Sequence, residues 1–270
     1  MSSPKRRLDV LLAERGLYES RARAAAAILA GEVLLGAGRE RAAKPGASVS
    51  SDVVVALAER PRYVSRGGVK LANALERFGI DVSGALALDV GASTGGFSDC
   101  LLQHGAARVV AVDVAYGELH WKLREDPRVT VIERCNAREL RPSLLPYAPG
   151  LMVMDLSFIS LRKVLGAVLA CGAPRFDCLA MVKPQFEVGR GRVGKGGVVR
   201  EPALRREALI EVGAAARELG AEVLGYASSG LPGPKGNRET FVWLAEPGRP
   251  GALERLDEAV RGVEPDPELG

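Results

Sequence analysis

Four charged residues that lie far apart in the chain could do chemistry together: Lys70, Asp155, Lys183 and Glu239. A lysine held among carboxylates can take a proton from a weakly acidic hydroxyl, provided the amine is neutral when it acts. Lys183 suits that task if neighbouring charge and partial burial lower its pKa. Lys70 supplies a like charge, and Asp155 and Glu239 would orient the two ammonium groups. Taken singly, each is an ordinary solvated charge. They become a site only if the fold brings all four to one place.

The elements needed to do so are readable. Residues 86–90, 108–114, 129–132, 151–155 and 178–183 are continuous apolar runs, as expected of parallel strands covered on both faces. Helices are expected over 95–103, 161–170 and 202–219, with closing strands at 222–227 and 240–245. Strands alternating with helices predict a doubly wound α/β sheet. Such sheets bind ligands at the carboxyl ends of their strands, where strand order reverses. Asp155 ends the fourth strand and Lys183 the fifth, with Pro184 biasing Lys183 towards an extended backbone. Glu239 precedes the last strand and shares that rim if the strand runs antiparallel. Lys70 begins a helix that can pass over the same edge.

Beside them the first strand runs into Asp89-Val-Gly-Ala-Ser-Thr-Gly-Gly-Phe97. Glycines there permit a tight turn and close backbone approach to a ligand. Asp113 follows Gly91 by twenty-two residues, which suits the two ribose hydroxyls of an adenosine. No Gly-Lys-Ser/Thr follows, so this is not a Walker loop. Ser93 stands where a dinucleotide fingerprint needs its second glycine. Loop and acid together favour S-adenosyl-L-methionine over a dinucleotide.

Charge is unevenly placed. Residues 1–70 hold thirteen Lys or Arg against seven Asp or Glu, an excess of +6 in a chain whose total is +4. A basic head of this kind suggests a nucleic-acid partner. It reads as a small α+β module. Leu8, Leu11 and Leu12 fall at helical spacing and Gly16 stops that helix; Ser20 caps a second over 21–30, with Gly31 as its C-terminal cap. Short strands at 33–35 and 53–57 flank a turn at Lys44-Pro45-Gly46. Arg21 and Arg23 sit in a first helical turn, where the dipole disfavours cations unless a phosphate binds there. The glycine-rich loop 186–200, with Arg190, Arg192 and Lys195, is a second candidate clamp for phosphates.

At 270 residues, 47% of them hydrophobic, the chain can fill one large or two modest cores. No apolar run is long enough to span a membrane, and the first residues lack a signal-peptide core, so a cytoplasmic protein is expected. Cys100, Cys135, Cys171 and Cys178 form no CxxC pair and meet no histidine at ligand spacing. Reduced, mostly buried thiols are expected, and no metal site.

Two resemblances follow from these residues. Arg7-Leu-Asp-Val-Leu-Leu-Ala-Glu-Arg-Gly-Leu17, Ser20-Arg-Ala-Arg-Ala24, Ala30-Gly-Glu-Val33 and Lys44-Pro-Gly46 resemble the S-four-type RNA-binding domain. Tyr63-Val-Ser-Arg-Gly-Gly-Val-Lys-Leu71, the Asp89–Ser98 loop, Asp155-Leu-Ser-Phe-Ile-Ser160, Val182-Lys-Pro-Gln-Phe-Glu-Val-Gly189 and Gly236-Asn-Arg-Glu239 resemble the TlyA, or haemolysin A, family. Its second domain is similar to FtsJ-type RNA ribose methyltransferases. The resemblance implies a 2′-O-methyltransferase acting on a cytidine of 16S or 23S ribosomal RNA. It also implies a Rossmann-like class I methyltransferase domain whose last strand runs antiparallel.

The expected organisation is an RNA-binding domain over 1–60, a linker over 61–68, a methyltransferase domain over 69–246 and a tail over 247–270. The resemblance carries catalytic roles onto Lys70, Asp155, Lys183 and Glu239. The expected cofactor set is Gly91, Ser93, Thr94, Gly95, Gly96, Phe97, Asp113, Asn136, Ala137, Asp155 and Phe158. The expected RNA set is Arg7, Arg21, Arg23, Lys44, Arg66, Arg190, Arg192 and Lys195. The partners are ribosomal RNA or ribosomal subunits, with neither membrane nor metal required. Two other function classes share these features. One is an RNA-binding factor with an inactive enzyme domain, against which intact Lys183 and Asp155 argue. The other is a membrane-active haemolysin, against which the lack of a spanning or strongly amphipathic apolar helix argues.

Overall fold

The computed structural model describes residues 3–29, 32–42, 44–57, 61–233 and 235–264, with the side chain of Arg190 outside that set. The chain forms two compact units, divided after Pro61.

In the first unit, strand β1 (Lys5–Arg7) leads into helix α1 (Leu8–Glu14) and then α2 (Arg21–Leu29). Strands β2 (Val33–Leu35), β3 (Glu40–Arg41), β4 (Ser48–Ser50) and β5 (Val55–Leu57) follow. β1 pairs with β4, and β2 lies between β3 and β5, all antiparallel. Leu8, Leu12, Ala24, Ala27, Ile28 and Val33 make its core. Ser20 caps α2 as expected, its hydroxyl accepting from Arg23 N–H at 3.2 Å. β1, β3 and β4 were not expected; at two or three residues each they are too short for a period to show. The expected cap at Gly31 lies outside the described residues. Arg62, Arg66 and Lys70 belong to the second unit, so the first keeps only +3 of the +6 excess.

The second unit opens with α3 (Arg66–Phe78), then β6 (Leu86–Val90), α4 (Gly96–Gln103), β7 (Arg108–Val112), α5 (Trp121–Arg124) and β8 (Val129–Ile132). It continues through β9 (Leu151–Met154), α6 (Leu165–Leu169), β10 (Asp177–Val182), α7 (Pro184–Glu187), α8 (Pro202–Glu218), β11 (Glu222–Ser228), β12 (Thr240–Ala245) and α9 (Leu256–Val263). One seven-stranded sheet has the order β11-β12-β10-β9-β6-β7-β8. β12 is antiparallel to both neighbours, and the other ladders are parallel. Order reverses between β6 and β9, which opens the ligand crevice there.

Successive strand residues feed opposite cores. Leu88, Val90, Met152 and Met154 pack with α6, α8 and α9; Ala87, Val109, Val153 and Leu179 pack with α3 and α4. Cys100, Cys171 and Cys178 are buried, Cys135 is half-buried, and all four are free thiols. Burial pushes the Cys178 thiol up to about 12. Among the described residues no helix is long and apolar enough to cross a membrane.

Three expectations are corrected. Helix α3 starts at Arg66, not Lys70, capped by Ser65 and closed by Gly79 in the left-handed conformation. The expected helix over 161–170 is a short 3-10 turn, Leu161–Lys163, followed by the single α-turn and a half of α6. The segment after Pro247, read as a tail, carries α9, which buries Leu256 and Val260 in the core.

α3 reaches the sheet edge because glycines remove the atoms that would hold it off. A Cβ on Gly96 would lie 2.1 Å from Ser65 Oγ and 3.0 Å from Gly68 N; one on Gly68 would lie 2.3 Å from Tyr63 Cγ. Gly96→Ala therefore pushes α3 off α4 and disturbs its Ser65 cap. The expected result is a loss of about 1–3 kcal/mol, read as a Tm lower by roughly 2–4 °C per kcal/mol in a domain of this size. A thermal melt indistinguishable from wild type would show that the two helices can part freely.

Candidate active site

The loop between β6 and α4 is tied down from beneath. Asp89 is fully buried and its Oδ2 accepts from Ser98 N–H at 2.9 Å and Ser98 Oγ–H at 2.7 Å. Its Oδ1 has no hydrogen-bond partner. Burial, with the nearby charges of Asp155 and Asp113, drives this carboxyl up to about 7, against the Ser98 donors. Gly91 and Ala92 N–H both donate to Val112 O, at 2.9 and 3.1 Å. Gly91 holds φ +86°, and a Cβ there would meet Asp155 O at 2.6 Å, so only glycine lets the loop lie against the end of β9. Asp113 accepts from Ser93 N–H at 2.7 Å and Ala115 N–H at 2.8 Å, which locks the acid to the loop.

Sheet register gathers the charged rim. Val182 pairs with Thr240 in the antiparallel ladder, so the next residues, Lys183 and Glu239, face each other across the edge. Met154 pairs with Ala180, which places Asp155 one position beyond the paired strand, on the same edge. Lys183 keeps an extended backbone (φ −112°, ψ 100°) before Pro184 opens α7. Its Nζ lies 2.6 Å from Asp155 Oδ1, at an angle that leaves that oxygen without a hydrogen bond, and donates to Ser157 Oγ at 2.9 Å. Lys70 and Glu239 form a second ion pair. This pair is more buried, with side chains 8% and 2% exposed against 11% and 25% for Lys183 and Asp155.

All four residues line one cavity of about 890 Å³. So do Gly91, Ser93, Thr94, Gly96, Phe97, Phe158 and Arg66 of the expected sets. Phe158 is 92% exposed, holds φ +65° and meets the Phe186 ring at 5.3 Å.

Other expected residues fall elsewhere. Gly95 is the left-handed N-cap of α4 and packs against Leu119 and Leu123, where a Cβ would come within 2.1 Å of Leu123. Asp113 lines an adjoining recess with Ser93, Ala115, Glu118 and Glu133. Asn136 and Ala137 do not line the cavity: Asn136 caps a 3-10 turn through Arg138 N–H, and Ala137 is in the core. Arg66 donates to Pro232 O at 2.6 Å. Arg192 is held by Glu207 and Val188 O, whereas Lys195 is exposed.

In the first unit Arg7 and Arg21 converge on one buried carboxylate, Asp9, at 2.9 and 2.8 Å. Hydrogen bonding by Arg7 holds that carboxyl well below the usual range. Asp9 thus offsets Arg21 at the start of α2 and Arg7 at the end of β1, and both guanidinium side chains remain more than half exposed. Lys44 is exposed in its turn.

Residues not anticipated include Ser157, which receives the Lys183 ammonium, and Asn237, which binds Val199 N–H and Gly197 O. Ser157 follows Asp155 by two and Asn237 precedes Glu239 by two, so both stood inside motifs read for their charges alone. Among the described residues no three His, Cys, Asp or Glu come together as a metal site.

Residues 63–246 match the family model of the FtsJ-like methyltransferases. The chain is 48% identical to the 16S/23S rRNA (cytidine-2′-O)-methyltransferase TlyA of Mycobacterium tuberculosis, over 94% of this chain and 95% of that one. It is 43% identical to the candidate rRNA methyltransferase YqxC of Bacillus subtilis, over 98% of this chain and 95% of that one. A solved structure described as a candidate hemolysin from Streptococcus thermophilus superposes with a TM-score of 0.72 at 39% identity, covering 97% of this chain and 96% of that one. Likeness at this level across nearly the whole length, on a sheet whose order and antiparallel last strand suit the motifs, places the chain in the TlyA/hemolysin family of FtsJ-like methyltransferases.

Proposed function

We propose that this protein methylates a ribose 2′-hydroxyl of ribosomal RNA in the cytoplasm, with S-adenosyl-L-methionine as methyl donor. The observation that carries this reading is the pairing of two lysines with two carboxylates in one cavity beside the glycine loop. The donor set fits the cofactor. Asp155 lines the cavity and Asp113 the recess beside it, so two acids flank the loop where a sulfonium and a ribose would lie. When bound, the cofactor supplies a methyl group already activated for displacement.

The chain's own residues do the rest. Lys183, steered by Asp155 and Ser157, takes the hydroxyl proton as the neutral amine, after its own ammonium proton has passed to solvent. Lys70, fixed by Glu239, holds positive charge where the ribose oxygen becomes nucleophilic. Gly91–Phe97 and Asp113 hold the donor. Alignment of hydroxyl and methyl can supply up to roughly 7–11 kcal/mol of barrier reduction. Residues 1–60, with Arg7, Arg21, Arg23 and Lys44, contribute RNA affinity.

The test is incubation with ribosomal RNA and labelled cofactor, followed by mapping of modified nucleotides. Label on a ribose 2′-oxygen is expected; label on a base, or none on any ribosomal RNA or subunit, overturns the reading. Asp113→Ala should weaken cofactor binding by about 10–100-fold in calorimetry, the loss of hydrogen bonds to a charged acceptor. Unchanged affinity would move the ribose contact to another residue.

A further inference from the structure

A second cavity, of about 500 Å³, is lined by four cations to which the catalytic reading gives no role: Arg200, Arg205, Lys235 and Arg238. It opens at the start of α8, a 17-residue helix whose N-cap, Glu201, makes no side-chain cap hydrogen bond and whose first turn holds no acid. The free N–H groups of such an end attract anions, although the Glu201 carboxylate itself lies at the N-cap. An independent observation points the same way. Arg205 is 7% exposed and lines the cavity, yet its Nε is buried without a partner. Its other nitrogens are engaged by Val199 O, Arg200 O and Glu264. Among the described residues Glu264 is the acid of the cluster: its carboxylate lies 2.8 Å from Arg205 and 3.6 Å from Arg238, and its backbone oxygen accepts from Arg206 at 3.2 Å. Positive charge is therefore in excess.

The position says whose anion it is. Lys235 lines both this cavity and the catalytic one. Asn237, between Lys235 and Glu239 in sequence, binds the 197–199 backbone that forms the shared wall. A strand whose ribose sits in the catalytic cavity must carry its flanking phosphates immediately outside it. We propose that the Arg200–Arg205–Lys235–Arg238 cavity binds a backbone phosphate of the polynucleotide substrate next to the reacting nucleotide. Phosphate contacts of this kind set the register of a strand. The choice of a polynucleotide over a free anion rests on the proposed function.

Arg200→Ala/Arg238→Ala tests it in the full chain, leaving the buried Arg205 intact. The KM for ribosomal RNA should rise about tenfold, with kcat within about twofold and cofactor affinity unchanged; the slope of log affinity against log salt should fall by about 0.7–0.9 for each phosphate that is no longer neutralised. Arg200→Lys/Arg238→Lys should recover most of the affinity. Unchanged RNA affinity and salt slope overturn the proposal. If the alanine pair loses binding of inorganic phosphate, followed by NMR titration, but keeps wild-type RNA affinity, the cavity is a free-anion site and the polynucleotide assignment is wrong. If the wild type transfers no methyl to ribosomal RNA, the proposed function fails, while the RNA-binding comparison still decides this cavity.

Discussion

Lys183→Ala should lower single-turnover methyl transfer to ribosomal RNA by at least the roughly 10²–10⁴-fold that a positioned base contributes. Cofactor and RNA affinity should stay within a few-fold of wild type. Lys183 stands at the end of β10 with its Nζ between Asp155 and Ser157, where a hydroxyl in the cavity can reach it. A group that acts in the transition state lowers the rate without raising dissociation constants. Lys183→Arg should fail too, because a guanidinium stays protonated and cannot accept the proton. Near-normal transfer by the arginine variant would mean that position 183 supplies only positive charge, and the base would have to be sought elsewhere.

Glu239→Gln should cost more stability than any other single change in the site. It leaves the Lys70 ammonium buried opposite a neutral amide, and breaking a buried pair from one side costs about 3–5 kcal/mol. The corresponding fall in Tm is roughly 6–20 °C at about 2–4 °C per kcal/mol. The double variant Lys70→Met/Glu239→Gln removes both charges and should recover most of that loss while remaining inactive. Recovery of stability without activity separates the structural role of the pair from its chemical one. A single Glu239→Gln variant with wild-type Tm would show that Lys70 turns out to solvent when unpaired, and the buried pair would not anchor α3 to the rim.

Much of this site was legible before the fold was known. β6 to β10 are covered on both faces, so they appear as unbroken apolar runs, and the residues just past them, Gly91, Asp113, Asp155 and Lys183, could be placed on the carboxyl rim by counting. Pro184 fixed the backbone of Lys183 locally, and Ser20 marked the start of α2 through a hydrogen bond only three residues long. These features depend on near neighbours or on the period of one element, which a chain displays in its own order.

What the order could not display was pairing over distance. Lys70 and Glu239 are 169 residues apart, and their meeting depends on α3 lying against α4, which depends on Gly96 having no Cβ, while Gly68 makes room for the Tyr63 ring. Gly67-Gly68 weakens a helix when read locally, yet α3 includes both and begins at Arg66 rather than at Lys70. Asn136, expected at the cofactor, closes a turn with its own neighbour and does not line the cavity. Asp9, one of seven acids in the basic head, proved to hold Arg7 and Arg21 together. Composition and period determined the sheet, its rim and the residue types available there. Tertiary packing alone decided which charges became partners, because a buried charge is tolerated only beside the opposite charge that the fold delivers to it.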